Sequence, residues 1–147
     1  MYLIVVGAEP EGIHLIHCAV KDSHQVALIE ADAAKARQVL NNHDIKVFNG
    51  DMSNSDIWEE AKAREADAVV ATASDDTVNL MTMMLAQKYG IKNLTTLVRH
   101  ANHQALFEHL GIQILVDPAA VIAERLYDNI QSPNATNSDS EKSPKLS

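Results

Sequence analysis

Short apolar, β-branched runs punctuate the chain: YLIVV at 2–6, QVALIE at 25–30, IKVF at 45–48, DAVVAT at 67–72, NLTTLV at 93–98 and IQILV at 112–116. They predict six strands. Most alternate only weakly between apolar and polar positions, the pattern of parallel strands covered on both faces rather than of a sheet with one wet face. Between the runs, apolar residues spaced three and four apart predict helices over about 11–21, 32–42, 55–64, 76–89, 101–110 and 118–131. The helix over 76–89 has Ser74 or Asp75 for an N-cap, an apolar surface of Val78, Leu80, Met81, Met84 and Leu85, and Gly90 as its stop. Its methionines read as packing groups.

Six strands alternating strictly with helices over short connections predict an α/β fold. Right-handed crossovers make it a Rossmann-like doubly wound parallel sheet with strand order 3-2-1-4-5-6. After Ile130 the composition shifts to QSPNATNSDSEKSPKLS, without a burial pattern. Residues 1–131 are therefore expected to form the folded domain and 132–147 a flexible Ser/Asn/Pro-rich tail or linker.

At 147 residues and 46% hydrophobic content the chain has enough material for one domain with a core. Its formal charge is −8, with Lys and Arg scattered, and its six aromatics (Tyr2, Phe48, Trp58, Tyr89, Phe107, Tyr127) are dispersed. That leaves neither a basic stripe for phosphates nor a stacking platform for bases, so nucleic acid is not an expected partner. No apolar run approaches the ~18 residues of a membrane span and no cleavable leader is evident, so a cytoplasmic location is expected. The single cysteine, Cys18, falls within an apolar helical pattern and reads as a small buried hydrophobe.

The first strand runs into IVVGAEPEGIHLI, residues 4–16, which has the spacing of a GxGxxG phosphate turn with Glu9 in place of the second glycine. In that turn the first glycine makes the bend, the second lets a pyrophosphate approach and the third lets the helix pack on the sheet. Gly7 and Gly12 keep the outer two roles. Glu30 closes the second strand 18 residues beyond Gly12, where a carboxylate takes ribose hydroxyls and disfavours a 2′-phosphate, so NADP is the least expected dinucleotide. An unpaired Glu9 carboxylate about 5 Å from a phosphate charge would cost about 3 kcal/mol at an effective dielectric near 20. Pro10 removes an N–H, while Glu9 and Glu11 are able to satisfy the helix N-terminus themselves. Two readings stay open: a site for a small nucleotide, and a Rossmann scaffold with an emptied pocket.

Further along, Gly50-Asp51 follows the third strand, Ala66-Asp67-Ala68 opens the fourth, Asp75-Asp76 precede Asn79, Leu97-Val98-Arg99 end the fifth, and LGIQILVDP leads into the last helix. This ordered set resembles the RCK domain, also called KTN or the TrkA N-terminal domain, which regulates potassium channels and transporters. The resemblance covers nearly all of residues 1–130. It implies a cytosolic, non-catalytic sensor that binds an adenine nucleotide (AMP, ADP, ATP or NAD(H)) and passes a conformational change to a membrane potassium channel or transporter subunit. By the same resemblance Gly7 and Gly12, with Ala8 and Glu9 of the turn between them, frame the phosphates. Glu30 takes the ribose, Asp51 the adenine region, Ala73, Ser74 and Asp75 the pocket wall, and Arg99 the phosphates or a partner subunit.

It also implies a homodimer, extending to a ring assembly, through apolar residues that the helices near 76–89 and 101–110 expose at the strand-end face, and the last helix is expected to carry an apolar stripe of Val121, Ile122, Leu126 and Ile130 that seeks a neighbour. The domain would lie peripheral to the inner face of the membrane through its partner. Two departures modify the expectation. Transporter subunits of this kind usually carry an intact GxGRxG, whereas Glu9 and Pro10 resemble channel-type members whose turn has lost its glycines. The smaller C-terminal lobe of such proteins has no counterpart after residue 131, leaving a cut-down piece or a domain that works alone.

Other constellations carry less. His14 and His17, and His100 and His103, are spaced i,i+3 but lack a cysteine or carboxylate cluster to complete a metal site. They read as solvated helix-face histidines. Asp75 and Asp76 point about 100° apart on a helix and suit a cap better than acid–base work. Calcium, which some channel-linked members sense near the ends of strands four and five, would there find the hydroxyls of Thr72 and Thr96, with Asp75 and Asp76 the only nearby carboxylates. A fragment of an NAD-dependent oxidoreductase is the third reading, and it lacks a substrate domain.

Overall fold

The run Tyr2–Val6 forms a central strand, β1, and its side chains sort to two faces. Ile4 and Val6 enter one buried cluster with Trp58, Val69 and Met83, while Leu3 and Val5 enter another with Ile16, Leu28 and Val39. Both faces are therefore dry. This is the physical reason the strands read as continuous apolar runs.

In the computed structural model, which describes residues 1–132, β1 is followed by α1 (Pro10–Lys21), β2 (Gln25–Glu30), α2 (Ala33–Asn42), β3 (Lys46–Asn49), α3 (Ser55–Glu60) and β4 (Ala68–Ala71). Then come α4 (Asp76–Lys88), β5 (Asn93–Val98), α5 (Gln104–Glu108), β6 (Gln113–Val116) and α6 (Pro118–Gln131). The strands form one parallel sheet in the predicted order β3-β2-β1-β4-β5-β6. Helices α1 and α2 pack on one face, through Ile16, Ala19 and Val39, and α3 and α4 on the other, through Ile57, Trp58, Met83 and Ala86. Trp58 is fully buried, and its indole N–H donates to the Met52 carbonyl at 2.7 Å. The expected tail lies, beyond Ser132, outside the described residues.

Several local expectations are corrected. Cys18 is exposed, because the inward stripe of α1 is Gly12, Ile16 and Ala19 and Cys18 falls beside it. The helix expected over 55–64 stops at Glu60, and Lys62 adopts a left-handed conformation (φ 54°) before a short 3₁₀ turn at Ala63–Glu65. Ala61 and Ala63 are both buried, and residues two apart in an α-helix point about 200° apart, so the turn brings both inward. The helix expected over 101–110 is a 3₁₀ turn at Ala101–His103 leading into the short α5.

The inward stripe of α4 is Asp76, Asn79, Thr82, Met83 and Ala86, so only one of the expected packing methionines of this helix is buried, and Met81 and Met84 are exposed. Of the expected apolar surface, Val78 and Leu85 pack partly buried against the core, and polar residues fill much of the inward stripe because each finds partners. Asn79 accepts from the Ala73 N–H and donates to the Ala73 and Leu97 carbonyls, and Thr82 donates to the Val78 carbonyl.

At the tip of β1 the backbone is crowded. Gly7 has φ 106°, and a Cβ on it would lie 2.6 Å from Ala73 N. A Cβ on Gly12 would lie 2.4 Å from both the Gly7 carbonyl oxygen and Thr72 Oγ1. Gly12→Ala is accordingly expected to lower the unfolding free energy by about 1–3 kcal/mol, the range for overpacking a closed site, seen as a lower urea midpoint. A midpoint equal to that of the unaltered protein would show that α1 lifts freely from the sheet.

Candidate functional site

The strand order reverses between β1 and β4, and in open parallel sheets ligands bind at the carboxyl ends of the strands beside such a reversal. A cavity of about 270 Å³ lies there. Its wall includes seven of the predicted site residues: Gly7, Glu9, Glu30, Asp51, Ala73, Ser74 and Asp75. Val6, Ile29, Met52 and Val78 give it an apolar side. A second cavity, of about 500 Å³, lies between Tyr2, His24, Lys46 and Lys62 beside the amino ends of β1 and β2, away from the switch point.

Three predicted residues stand outside the lining of the first cavity. Ala8 contributes its backbone N–H, which donates to Glu30 Oε2 at 2.7 Å. Gly12 supports the turn from below, where Thr72 Oγ1 donates to the Gly7 carbonyl at 2.9 Å. The guanidinium of Arg99 is engaged elsewhere: it pairs with Glu11 at 3.1 Å and donates to the Ala73 and Thr72 carbonyls. This contact holds the Glu11 carboxyl below its ordinary range, against the smaller push of burial.

Glu30 is the organising residue. Besides the Ala8 N–H it accepts from the Asp32 N–H at 3.1 Å, so one carboxylate ties the β1 turn to the entry of α2. Asp32 then caps α2 by accepting from the Lys35 N–H at 2.9 Å. A carboxylate offers about four acceptor sites, so these two bonds leave capacity for ribose hydroxyls. Asp51 accepts from the Ser53 N–H at 2.8 Å, and hydrogen bonds to Ser53 hold its carboxyl low.

Glu9 occupies the N-cap position of α1, yet its side chain does not cap the helix, contrary to the expectation that it would satisfy the helix N-terminus. It turns instead to Lys35, with Nζ 2.5 Å from Oε1. The hydrogen bond that Lys35 donates to Glu9 raises the Lys35 pKa. Lys35 was not anticipated. The available signal was its place in the first turn of α2, where the helix dipole disfavours a cation and an anionic neighbour must compensate.

The sequence model of the TrkA-N domain family matches residues 3–118. The chain belongs to the TrkA-N family. A Trk system potassium uptake protein TrkA homolog of Methanothermobacter thermautotrophicus is 28% identical over 133 residues, covering 90% of this chain and 62% of that protein. The chain thus spans under two thirds of that relative's length. Among solved structures, the Kef C-terminal domain of Shewanella denitrificans in its AMP-bound form superposes with a TM-score of 0.74 at 16% identity, covering 99% of this chain and 90% of that one. The GsuK channel bound to NAD superposes with a TM-score of 0.68 at 16% identity, covering 78% of this chain and 21% of that one. These structural likenesses carry the TrkA-N fold. No helix among the described residues is long and apolar enough to cross a membrane.

The other constellations resolve simply. His14 and His17 are exposed on α1, whereas His103 is not merely a solvated histidine: its Nδ1 lies 2.8 Å from Asp76 Oδ2. Among the described residues no three His, Cys, Asp or Glu side chains are placed to share an ion. Asp75 is the N-cap of α4, accepting from the Thr77 N–H at 2.8 Å. Asp76 is buried, accepting from the Arg99 N–H at 2.7 Å and the His100 N–H at 3.0 Å.

Burial pushes the Asp76 carboxyl up, but the donors from Arg99, His103 and His100 outweigh it and hold the carboxyl low. A depressed carboxyl contributes stability that is complete above its unfolded pKa and lost as pH falls through the folded one. Asp76→Asn should therefore cost about 1.5–3 kcal/mol at neutral pH, the range for hydrogen bonds to a charged group. The gap should narrow below about pH 3.9, the ordinary carboxyl value, in urea unfolding at pH 7 and pH 3. A gap that ignores pH would assign the loss to packing.

Proposed function

We infer that this domain is the nucleotide-sensing part of a cytoplasmic potassium-transport regulator, binding an adenine nucleotide at the β1–β2–β4 cavity and passing the change to a membrane channel or transporter subunit. The observation that carries this reading is the Glu30 bridge. One carboxylate spans the glycine turn and the α2 entry and keeps acceptor sites for ribose hydroxyls. The names of the similar proteins support it, with potassium uptake for the M. thermautotrophicus relative and AMP and NAD in the Kef and GsuK structures. The role we assign is regulatory rather than catalytic, in line with the potassium-uptake names of the relatives.

The cavity is small. At about 270 Å³ it falls just under the ~300–1,000 Å³ usual for drug-sized ligands, which favours a mononucleotide over a full dinucleotide. A second reading, a ligand-free assembly module, draws on the acidic lining: Glu9, Glu30, Asp32, Asp51 and Asp75 all face the cavity. Titration calorimetry with AMP, ADP, ATP and NADH separates the two. AMP is expected to bind at least tenfold more tightly than NADH, and Glu30→Ala to weaken AMP by tenfold or more, roughly 1.4 kcal/mol. Silence toward all four ligands at millimolar concentration would favour the assembly module.

Assembly fits either reading. On α6, Val121, Ile122, Leu126, Tyr127 and Ile130 are all more than half exposed, an apolar stripe that a homodimer would bury. Leu126→Asp should shift sedimentation from dimer to monomer at micromolar concentration without lowering helical content. A protein monomeric before substitution would remove α6 as a dimer surface.

A further inference from the structure

Resting on the nucleotide reading, a phosphoryl group carried by a ribose at Glu30 would meet an unusual charge balance. Five carboxylates line the cavity, and among its described lining residues Lys35 alone carries a positive side chain. Arg99 is not among the lining residues, and its guanidinium is engaged by Glu11 and by the Ala73 and Thr72 carbonyls. The one available cation is already held by Glu9, the residue standing where the phosphate turn would carry its second glycine.

That pair is built to be exchanged. Its side chains are 44% and 23% exposed, and ion pairs between long, partly solvated side chains are weak. Glu9 has no helix-capping bond to hold it in place. Lys35, in contrast, is fixed at its backbone by the Asp32 cap, and Asp32 by Glu30, so the lysine is anchored to the same carboxylate that would hold the ribose.

We propose that Glu9 and Lys35 form an exchangeable latch: the phosphoryl group of a nucleoside monophosphate takes Lys35 from Glu9, and the released carboxylate turns to water. Lys35 is then the phosphate-selecting residue and Glu9 the internal competitor. One cation balances one phosphoryl group. Further phosphates, or the second half of a dinucleotide, would find no second cationic side chain among the described lining residues, so the ligand class is the monophosphate.

Calorimetry with adenosine, AMP and ATP on the unaltered protein and on Lys35→Gln, Lys35→Arg and Glu9→Gln tests the latch, with thermal melts to establish folding. AMP should bind about tenfold more tightly than adenosine, the scale of one charge-assisted contact, and more tightly than ATP. Lys35→Gln should erase that advantage while leaving adenosine unchanged, Lys35→Arg should restore much of it, and Glu9→Gln should strengthen AMP several-fold with no effect on adenosine.

Adenosine binding with no gain from the phosphate, or a gain that survives Lys35→Gln, overturns the latch and leaves the nucleotide pocket standing. An AMP affinity indifferent to Glu9→Gln overturns the exchange. Failure of adenosine and AMP alike overturns both the latch and the pocket.

Discussion

The upper end of this domain depends on how closely the α1 backbone approaches the tip of β1. Gly12 leaves no room for a side chain between the Gly7 carbonyl and Thr72, and Gly7, at φ 106°, lies so close to the Ala73 backbone that a Cβ would strike it. This crowding aims the Ala8 N–H at Glu30, which in turn holds the Asp32 N–H. Asp32 caps α2 and so sets where Lys35 stands. A steric constraint at two glycines thus fixes, through one carboxylate, the position of the cation at the cavity.

Electrostatics changes sign when those contacts are counted. An isolated Glu9 would repel a phosphate 5 Å away by about 3 kcal/mol at an effective dielectric near 20. With the Lys35 ammonium 2.5 Å from it, the pair is close to neutral toward a third charge. What remains is competition for Lys35 rather than exclusion of an anion. Glu11, two residues further, is occupied in the same way by Arg99. Both acidic residues at the entry of α1 are thereby compensated, each by a cation from a different element.

The sheet was legible in the sequence because its central strands β1, β2 and β4 are buried on both faces, a condition that leaves a strong apolar signal in a few residues, while the edge strands β3 and β6 are only partly covered. Gly7, Gly12 and Glu30 were legible for a related reason: backbone bends and strand ends impose local demands at fixed spacing. Lys35 and Arg99 differ. Lys35 finds Glu9 26 residues away and Arg99 finds Glu11 88 residues away, pairings that only strand order brings about. The exposed Cys18 and methionines fail for another reason. On α1 and α4, glycine, asparagine and threonine occupy the inward stripe because close approach and hydrogen bonding matter there more than hydrophobicity. A periodic apolar pattern then marks the buried face only in part: on α4, Val78 and Leu85 pack against the core while Met81 and Met84 do not.

The contacts around the cavity are continuous with the exposed helix at the far edge of the sheet. Glu11, on the first turn of α1, holds Arg99; the neighbouring Val98 carbonyl accepts the Asp117 N–H at 2.7 Å; and Asp117, itself left-handed (φ 53°), caps α6 by accepting from the Ala120 N–H at 3.0 Å. Asp76 pins the Arg99 and His100 backbone to α4, so this part of the route is stiff. Contiguity becomes coupling only where a link has two arrangements that a ligand distinguishes. The buried hydrogen bonds offer no inexpensive alternative, since breaking them strands a polar group. The Glu9 and Glu11 ion pairs do, because water can take either partner. Both stand on the same two residues flanking Pro10, which makes the α1 entry the place where occupancy of the cavity would meet the contacts leading to α6.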